Sequence, residues 1–317
     1  MRPERLPLRR RTHPVVLGVA LCLVAAAAPL RAQEESLDVL LVTAHPDDEA
    51  MFGAAVYKIT HTLKGNVDLA LITDGSGGFR YAQLAESIYG LDLTDEETAR
   101  QYLPAIRKRE LMAGGAIIGL RNYFFMDEFD HAYTENVDTV LNHVWDAAAV
   151  RERLRQIMTR GNYDFVFVHL PVKNFHAHHV AASLLALEAA SALPDSLRPV
   201  VLGCFIADST DPDFFSLSDH SELPGYPITR VRSDVSPFIF DRTEALSEDG
   251  RLNYQIVVNW LIAEHRTQGT MQLLINRGDR ERFWIFEANG PGSLSKTEDL
   301  FERLAAPVFT GDHGDQQ

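Results

Sequence analysis

Leu37-Asp-Val-Leu-Leu-Val-Thr-Ala-His-Pro-Asp-Asp-Glu49 runs an apolar strand straight into a histidine and three carboxylates. The apolar half reads as a strand buried on both faces, and the change to charge marks where strand gives way to helix. Pro46 fixes its own φ and biases His45 away from helical geometry, which puts His45 on the strand side of the turn. Asp47, Asp48 and Glu49 are then expected in the first helical turn, where exposed backbone N–H groups favour negative charge. One histidine and two aspartates at a strand end suit a hard or borderline divalent metal, with a carboxylate left over for proton transfer. Helix capping by Asp47 and Asp48 alone is the plainer alternative.

Outward from this stretch, β-rich and helix-rich patterns alternate. Asp38–Thr43 and Val67–Thr73 read as buried parallel strands, with a helix over Asp48–Leu63 between them. A helix over Asp95–Ile118, a strand over Asn122–Met126 and a helix over Arg151–Thr159 follow. Then come a strand over Asp164–His169, an Ala/Leu helix over His179–Ala192, a strand over Val200–Ala207 and a last clear helix over Tyr254–Arg266. This order predicts an α/β fold with a Rossmann-like, doubly wound, mostly parallel sheet. Such sheets bind ligands beyond the carboxyl ends of their strands, where His45, Asp74, Asp127 and His169 all fall. Residues 127–149 and 208–253 break the rhythm and are too long for simple connections. They read as cleft-lining loops or a small appended subdomain.

The chain has 317 residues, 46% hydrophobic and 23% charged, which fits one large α/β domain. That domain is expected over residues 33–309, with 208–253 as an insertion and 310–317 as a frayed tail. Residues 1–32 read as a secretory signal peptide: five arginines up to Arg11, an apolar run of 16 residues from Val15 to Leu30, and Ala32 as a cleavage point. The run is short for a membrane span, and an uncleaved anchor is the competing reading. Export to the periplasm or beyond follows, with no membrane span in the mature chain. Without this segment's six Arg and one Glu, 24 basic residues face 43 acidic ones, a net of −19. Such a surface repels phosphate backbones, so nucleic-acid binding is not expected. Cys204 is then the single cysteine, and no intrachain disulfide can form.

A second chemical motif, Pro171-Val-Lys-Asn-Phe-His-Ala-His-His179, opens a helix after the strand ending at His169. His176 and His179 are three apart and lie near one another at the helix start, while His178 points elsewhere. Three histidines in four residues on an apolar helix are not a core pattern, although one alone would read as a satisfied structural residue. If the sheet sets this strand end beside Thr43, then His45, Asp48 and His179 form a three-ligand site with an open position. That is the arrangement of a hydrolytic zinc centre, which acidifies water to a pKa near ~7. Asp47 would take the water's proton, and His176 would stabilise an oxyanion or protonate a leaving amine.

Together the two motifs resemble the LmbE/PIG-L family of zinc-dependent N-deacetylases. Leu71-Ile-Thr-Asp-Gly75, Arg107-x-x-Glu110-x-x-Ala113 and Ala263-Glu-His-Arg-Thr-Gln268 agree with it, so the resemblance runs with gaps from residue 38 to 285. It implies His45, Asp48 and His179 as zinc ligands, Asp47 as general base, His176 as polarising histidine, and Arg107 and Asp127 as substrate contacts. It also implies a small-molecule partner, an N-acetylglucosamine-type sugar or conjugate that loses its acetyl group. The donor set accepts other divalent ions such as Fe2+. An amidase for larger acyl conjugates, or a silent sugar- or metal-binding protein, are the alternative functions. One departure stands out: many family members place Pro-Asp between the two histidines, where this chain has Ala177-His178. The missing carboxylate would have oriented or charged a neighbouring histidine. Asp74-Gly-Ser-Gly-Gly78 lacks the spacing of a phosphate loop and reads as a turn bordering the cleft. Tyr81, Phe129 and Tyr133 are candidates for stacking on sugar rings, and His265 and Gln268 for either packing or a cleft role.

Overall fold

Because β1 (Asp38–Thr43) is apolar at successive positions, it can be covered on both faces, and it lies in the middle of the sheet. The structure is a computed structural model that describes residues 36–131, 133–209 and 220–308. The expected signal peptide, residues 210–219 of the expected insertion and the expected tail lie outside the described residues. After β1 the order is α1 (Gly53–Tyr57), β2 (Asn66–Thr73), α2 (Glu86–Tyr89), α3 (Glu96–Ile118), β3 (Leu120–Glu128), α4 (Val137–Thr139) and α5 (Ala147–Gly161). Then come β4 (Phe165–His169), α6 (Ala177–Ser191), β5 (Val200–Ala207), β6 (Phe238–Asp241), α7 (Tyr254–Glu264), β7 (Arg280–Ile285) and α8 (Ser293–Ala305).

The sheet order is β3-β2-β1-β4-β5-β7-β6. Strands β1 to β5 are parallel, and β7 runs antiparallel to both β5 and β6. This is the mostly parallel, doubly wound α/β sheet that the alternation predicts. Along β1 the side chains divide by parity. Val39 and Leu41 join a core with residues of α1, α3, α7 and α8, while Leu40 and Val42 join a second core with residues of α5 and α6. From β1 the chain winds out to β3 and then returns to the other side of β1 as β4. The connections leaving β1 and β4 therefore diverge at a topological switch point, which opens a crevice at their carboxyl ends. The register, Leu41 opposite Phe167, brings Thr43 and His169 to the same level there.

Three local outcomes differ from the sequence expectation, each with an identifiable cause. The single helix expected over 48–63 is a 3-10 turn (Asp48–Phe52), then α1, then a π turn (Lys58–Thr62). α1 starts at Gly53 because the Glu281 carboxylate accepts the N–H groups of Ala54 (2.8 Å) and Ala55 (3.0 Å), as anions at helix starts do. Arg242 donates to the same carboxylate (2.9 Å) and to the Ala50 carbonyl (2.7 Å), so a fully buried ion pair braces the motif from behind. α6 begins two residues earlier than expected, since His176 caps it. Finally, β6, β7 and α8 were not read from sequence. Part of the stretch read as an insertion supplies β6 and Arg242 instead. Among the described residues no helix is long and apolar enough to cross a membrane.

Candidate metal centre

The end of β1 is tied down before the motif begins. Thr73 donates both its N–H (3.0 Å) and its hydroxyl (2.6 Å) to the Ala44 carbonyl. Asp48 then folds back on the strand end, its Oδ2 accepting the N–H groups of Ala44 (2.9 Å) and His45 (2.8 Å). That leaves Oδ1 facing His179 Nε2 at 3.1 Å. Asp47 does not enter the helical turn as expected. It is the residue before it, at φ 146°, a region costly for a residue with a Cβ. Arg107 holds this strained turn: it donates to the carbonyls of Pro46 (2.8 Å) and Gly75 (2.8 Å), and its Nη2 lies 3.3 Å from Asp47 Oδ1.

At the start of α6, His176 Nδ1 accepts the N–H of His178 (3.3 Å). A backbone N–H can only donate, so a neutral His176 carries its proton on Nε2. His179 Nε2 comes within 3.0 Å of His45 Nδ1, with His169 stacked on the His179 ring at 4.6 Å between centroids. Donor atoms of His45, Asp48 and His179 all lie within 4.8 Å of one another, and His45, His176 and His178 form a second group of that kind. Two imidazole nitrogens 3.0 Å apart cannot both donate, and they share a carboxylate. This N,N,O set fits a borderline divalent cation.

Burial and charge set opposite protonation tendencies across the cluster. Burial pushes Asp47 up to about 6, against the pull of Arg107 and with help from Asp48. Burial also works against the Asp48 carboxylate, yet the neighbouring histidines, His179 foremost, hold it well below the usual range. Burial disfavours a charged His45, but the carboxylates of Asp130, Asp48 and Asp47 raise it overall. Burial and the surrounding rings lower His176 to about 2, so it is neutral across the working range. Burial likewise lowers His169 to about 3 and His178 to about 4.

The structure thus brings His45, Asp47, Asp48, His176, His179 and Arg107 together at one crevice. Asp127 is not among them. Its backbone takes φ 58°, its side chain is 55% exposed, and its carboxylate pairs with Lys108. The carboxylate that this segment sends into the cluster is Asp130, whose Oδ1 lies 3.7 Å from His45 Nε2 and 3.5 Å from His178 Nδ1. Sequence reasoning missed it, because it stands in a polar stretch outside any motif. His265, placed between packing and cleft by sequence, is fully buried and hydrogen-bonded to Glu49 at 2.6 Å. Glu110 accepts from the N–H (3.1 Å) and hydroxyl (2.5 Å) of Thr267, joining two of the supporting sequence motifs. At the rim, the exposed Tyr133 ring sits 4.8 Å from His176, and Arg100 lies over Phe129 at 4.3 Å.

With this geometry in hand, comparison with known proteins gives one family. Residues 40–190 match the family model described as PIG-L, GlcNAc-PI de-N-acetylase. No curated protein matches the sequence. Among solved structures the chain is similar to N,N'-diacetylchitobiose deacetylase from Pyrococcus horikoshii, at 19% identity and a TM-score of 0.49, covering 80% of this chain and 85% of that one. The A40926 pseudoaglycone deacetylase Dbv21 gives 18%, 0.48, 80% and 98% in the same order. The 4-carboxy-2-hydroxymuconate hydratase GalB from Pseudomonas putida KT2440 gives 15%, 0.48, 78% and 95%. Likeness at this level fixes no reaction, and one of the three proteins is a hydratase. The matched segment, residues 40–190, holds both histidine motifs and the cluster they build, and it is this segment that is similar to the PIG-L family.

Proposed function

We propose that this protein is an exported, zinc-dependent N-deacetylase that hydrolyses the acetamide of an N-acetylglucosamine-type sugar or conjugate. One observation carries this function: the donors of His45, Asp48 and His179 converge, the His176 ring packs against His45, and the Asp47 carboxylate is near enough to act on the His45 charge. A divalent ion held by those three residues would supply Lewis acidity, lowering the pKa of a water to near ~7 and drawing charge from the amide carbonyl. Asp47 accepts the proton of the attacking water as the new carbon–oxygen bond forms, and its elevated pKa of about 6 suits a base that must hold a proton briefly. His176, neutral and with its proton on Nε2, donates a hydrogen bond to the carbonyl oxygen as that oxygen gains charge. Collapse breaks the carbon–nitrogen bond, the proton on Asp47 passes to the leaving amine, and acetate departs. Tyr133, exposed beside His176, offers a face for the sugar ring. The basic start and apolar run of residues 1–32 support export.

Amine release from a panel of N-acetylglucosamine conjugates, with and without chelator, tests this. The expected result is release from at least one acetylated substrate, abolished by chelator and restored by zinc. No release across the panel, or release indifferent to chelator, overturns it. Longer acyl groups cleaved in preference to acetyl would redirect the assignment to an amidase of larger conjugates.

A further inference from the structure

We propose that Asp130 is a positioning residue for the metal centre: its carboxylate and the His178 ring together orient His45, doing from a separate loop what a carboxylate at position 178 would do. This deepens the proposed function and depends on it only in taking His45 as a metal ligand.

A histidine that binds a metal through Nδ1 carries its proton on Nε2, and it is held in place when that N–H meets an acceptor. Here His45 Nδ1 faces His179 and Asp48, so Nε2 must be the donor. It meets His178 Nδ1 at 3.0 Å, with Asp130 Oδ1 3.7 Å away. A neutral imidazole is a weaker partner than a carboxylate for an N–H made more acidic by a metal. Asp130 supplies the negative charge that the ring lacks, its Oδ1 standing beside both nitrogens, 3.7 Å from His45 Nε2 and 3.5 Å from His178 Nδ1.

Asp130 is built into that place. Its N–H donates to Asp74 Oδ1 (3.3 Å), its carbonyl accepts from Arg100 (3.0 Å), and its Oδ2 lies 3.8 Å from Arg107 Nη1. The glycine-rich turn after β2 now has a purpose beyond bordering the cleft. A Cβ on Gly77 would stand 2.6 Å from Asp130 Oδ1, and one on Gly78 would stand 2.5 Å from Arg107 Nη1. Both glycines leave room for the groups that reach His45 and Asp47. Arg107 touches Asp130 and Asp47 alike, so one guanidinium ties the ligand's support to the base.

The test is the zinc dissociation constant of the purified protein, measured by competition with a chromophoric chelator, together with kcat and KM. Asp130→Asn keeps the shape and removes the charge, and zinc affinity should fall 10–100-fold. In that variant His178→Asp should recover most of the loss, because an aspartate oxygen takes nearly the place of histidine Nδ1. Wild-type affinity in Asp130→Asn, or a loss that His178→Asp does not repair, overturns the inference while leaving the deacetylase assignment in place. A wild type that takes up no zinc overturns both.

Discussion

Asp48 and Glu49 are neighbours in the chain, each paired with a histidine from a distant helix, and they meet opposite fates. Glu49 and His265 are fully buried and close on each other through one 2.6 Å hydrogen bond. Gly114 makes room for them, since a Cβ there would stand 3.3 Å from Glu49 Oε1 and 3.4 Å from His265 Nε2. Asp48 and His179 keep 8% and 17% of their side-chain surface exposed, and a third donor, His45, points at the same spot. In the first pair one ring nitrogen meets one carboxylate oxygen, while Glu49 Oε2 and His265 Nδ1 stay buried without a hydrogen-bond partner. In the second, three lone-pair donors converge and need a cation. The number of groups aimed at one point, rather than residue type, separates a clamp from a site.

The comparison can be broken most severely at Asp48. Asp48→Ala should abolish both metal uptake and amine release. Because the N–H groups of Ala44 and His45 lose their acceptor, the metal-free protein should still unfold cooperatively but at a lower temperature, as metal analysis and calorimetry would read. Retained stoichiometric zinc would show that the donors do not act as a set. Asp47→Ala should keep the metal and lose ~10²–10⁴-fold in kcat. Because Asp47 must be unprotonated to act, activity should fall as pH drops through its pKa. A bound cation would pull that raised value back down, so the acid limb of kcat/KM belongs at or below about 6. An acid limb well above that would remove Asp47 as the base.

The closed pair should answer in stability. Glu49→Ala leaves His265 buried without its partner and should cost ~3–5 kcal/mol in denaturant unfolding. Glu49 raises the pKa of His265 against the effect of burial. The pair's contribution is therefore complete below the ordinary histidine value and lost as pH rises through the folded one. The gap between wild type and Glu49→Gln should narrow toward alkaline pH, and a widening gap would contradict the ionic pairing. Removing metal with chelator should lower stability by ~2.7 kcal/mol if the ion had been present at 100 times its Kd. The smallest effect is expected at Asp127, whose exposed ion pair predicts changes within ~0.5 kcal/mol on alanine substitution. A tenfold loss of kcat/KM there would place substrate over Lys108 after all.

Much of the parallel sheet is legible in the chain because its signal is local. β1, β2, β4 and β5 are short apolar runs, and each was read to within a residue or so of its observed bounds. The β7 run was not, since Arg280-Glu-Arg282 at its start looks like surface until Arg242 arrives to pair with Glu281. Asp130 was illegible for the same reason, because its partners His45, His178 and Arg107 come from other segments. Asp127 drew attention at a strand end, but a positive φ turns the chain there and Lys108 takes its charge.

By itself the sequence determined the strand-to-helix turn at His45, the two histidine motifs and the doubly wound order that brings them to one edge. Those features follow from residue type and spacing over a few positions. Only the tertiary structure decided which carboxylates face the crevice. Asp47 turns out on a strained φ, Asp48 folds back on its own strand, Glu49 is sealed against His265, and Asp130 enters from another loop. The physical reason is that a charged side chain settles where its counter-charge is fixed, and these counter-charges are fixed by packing between segments far apart in the chain.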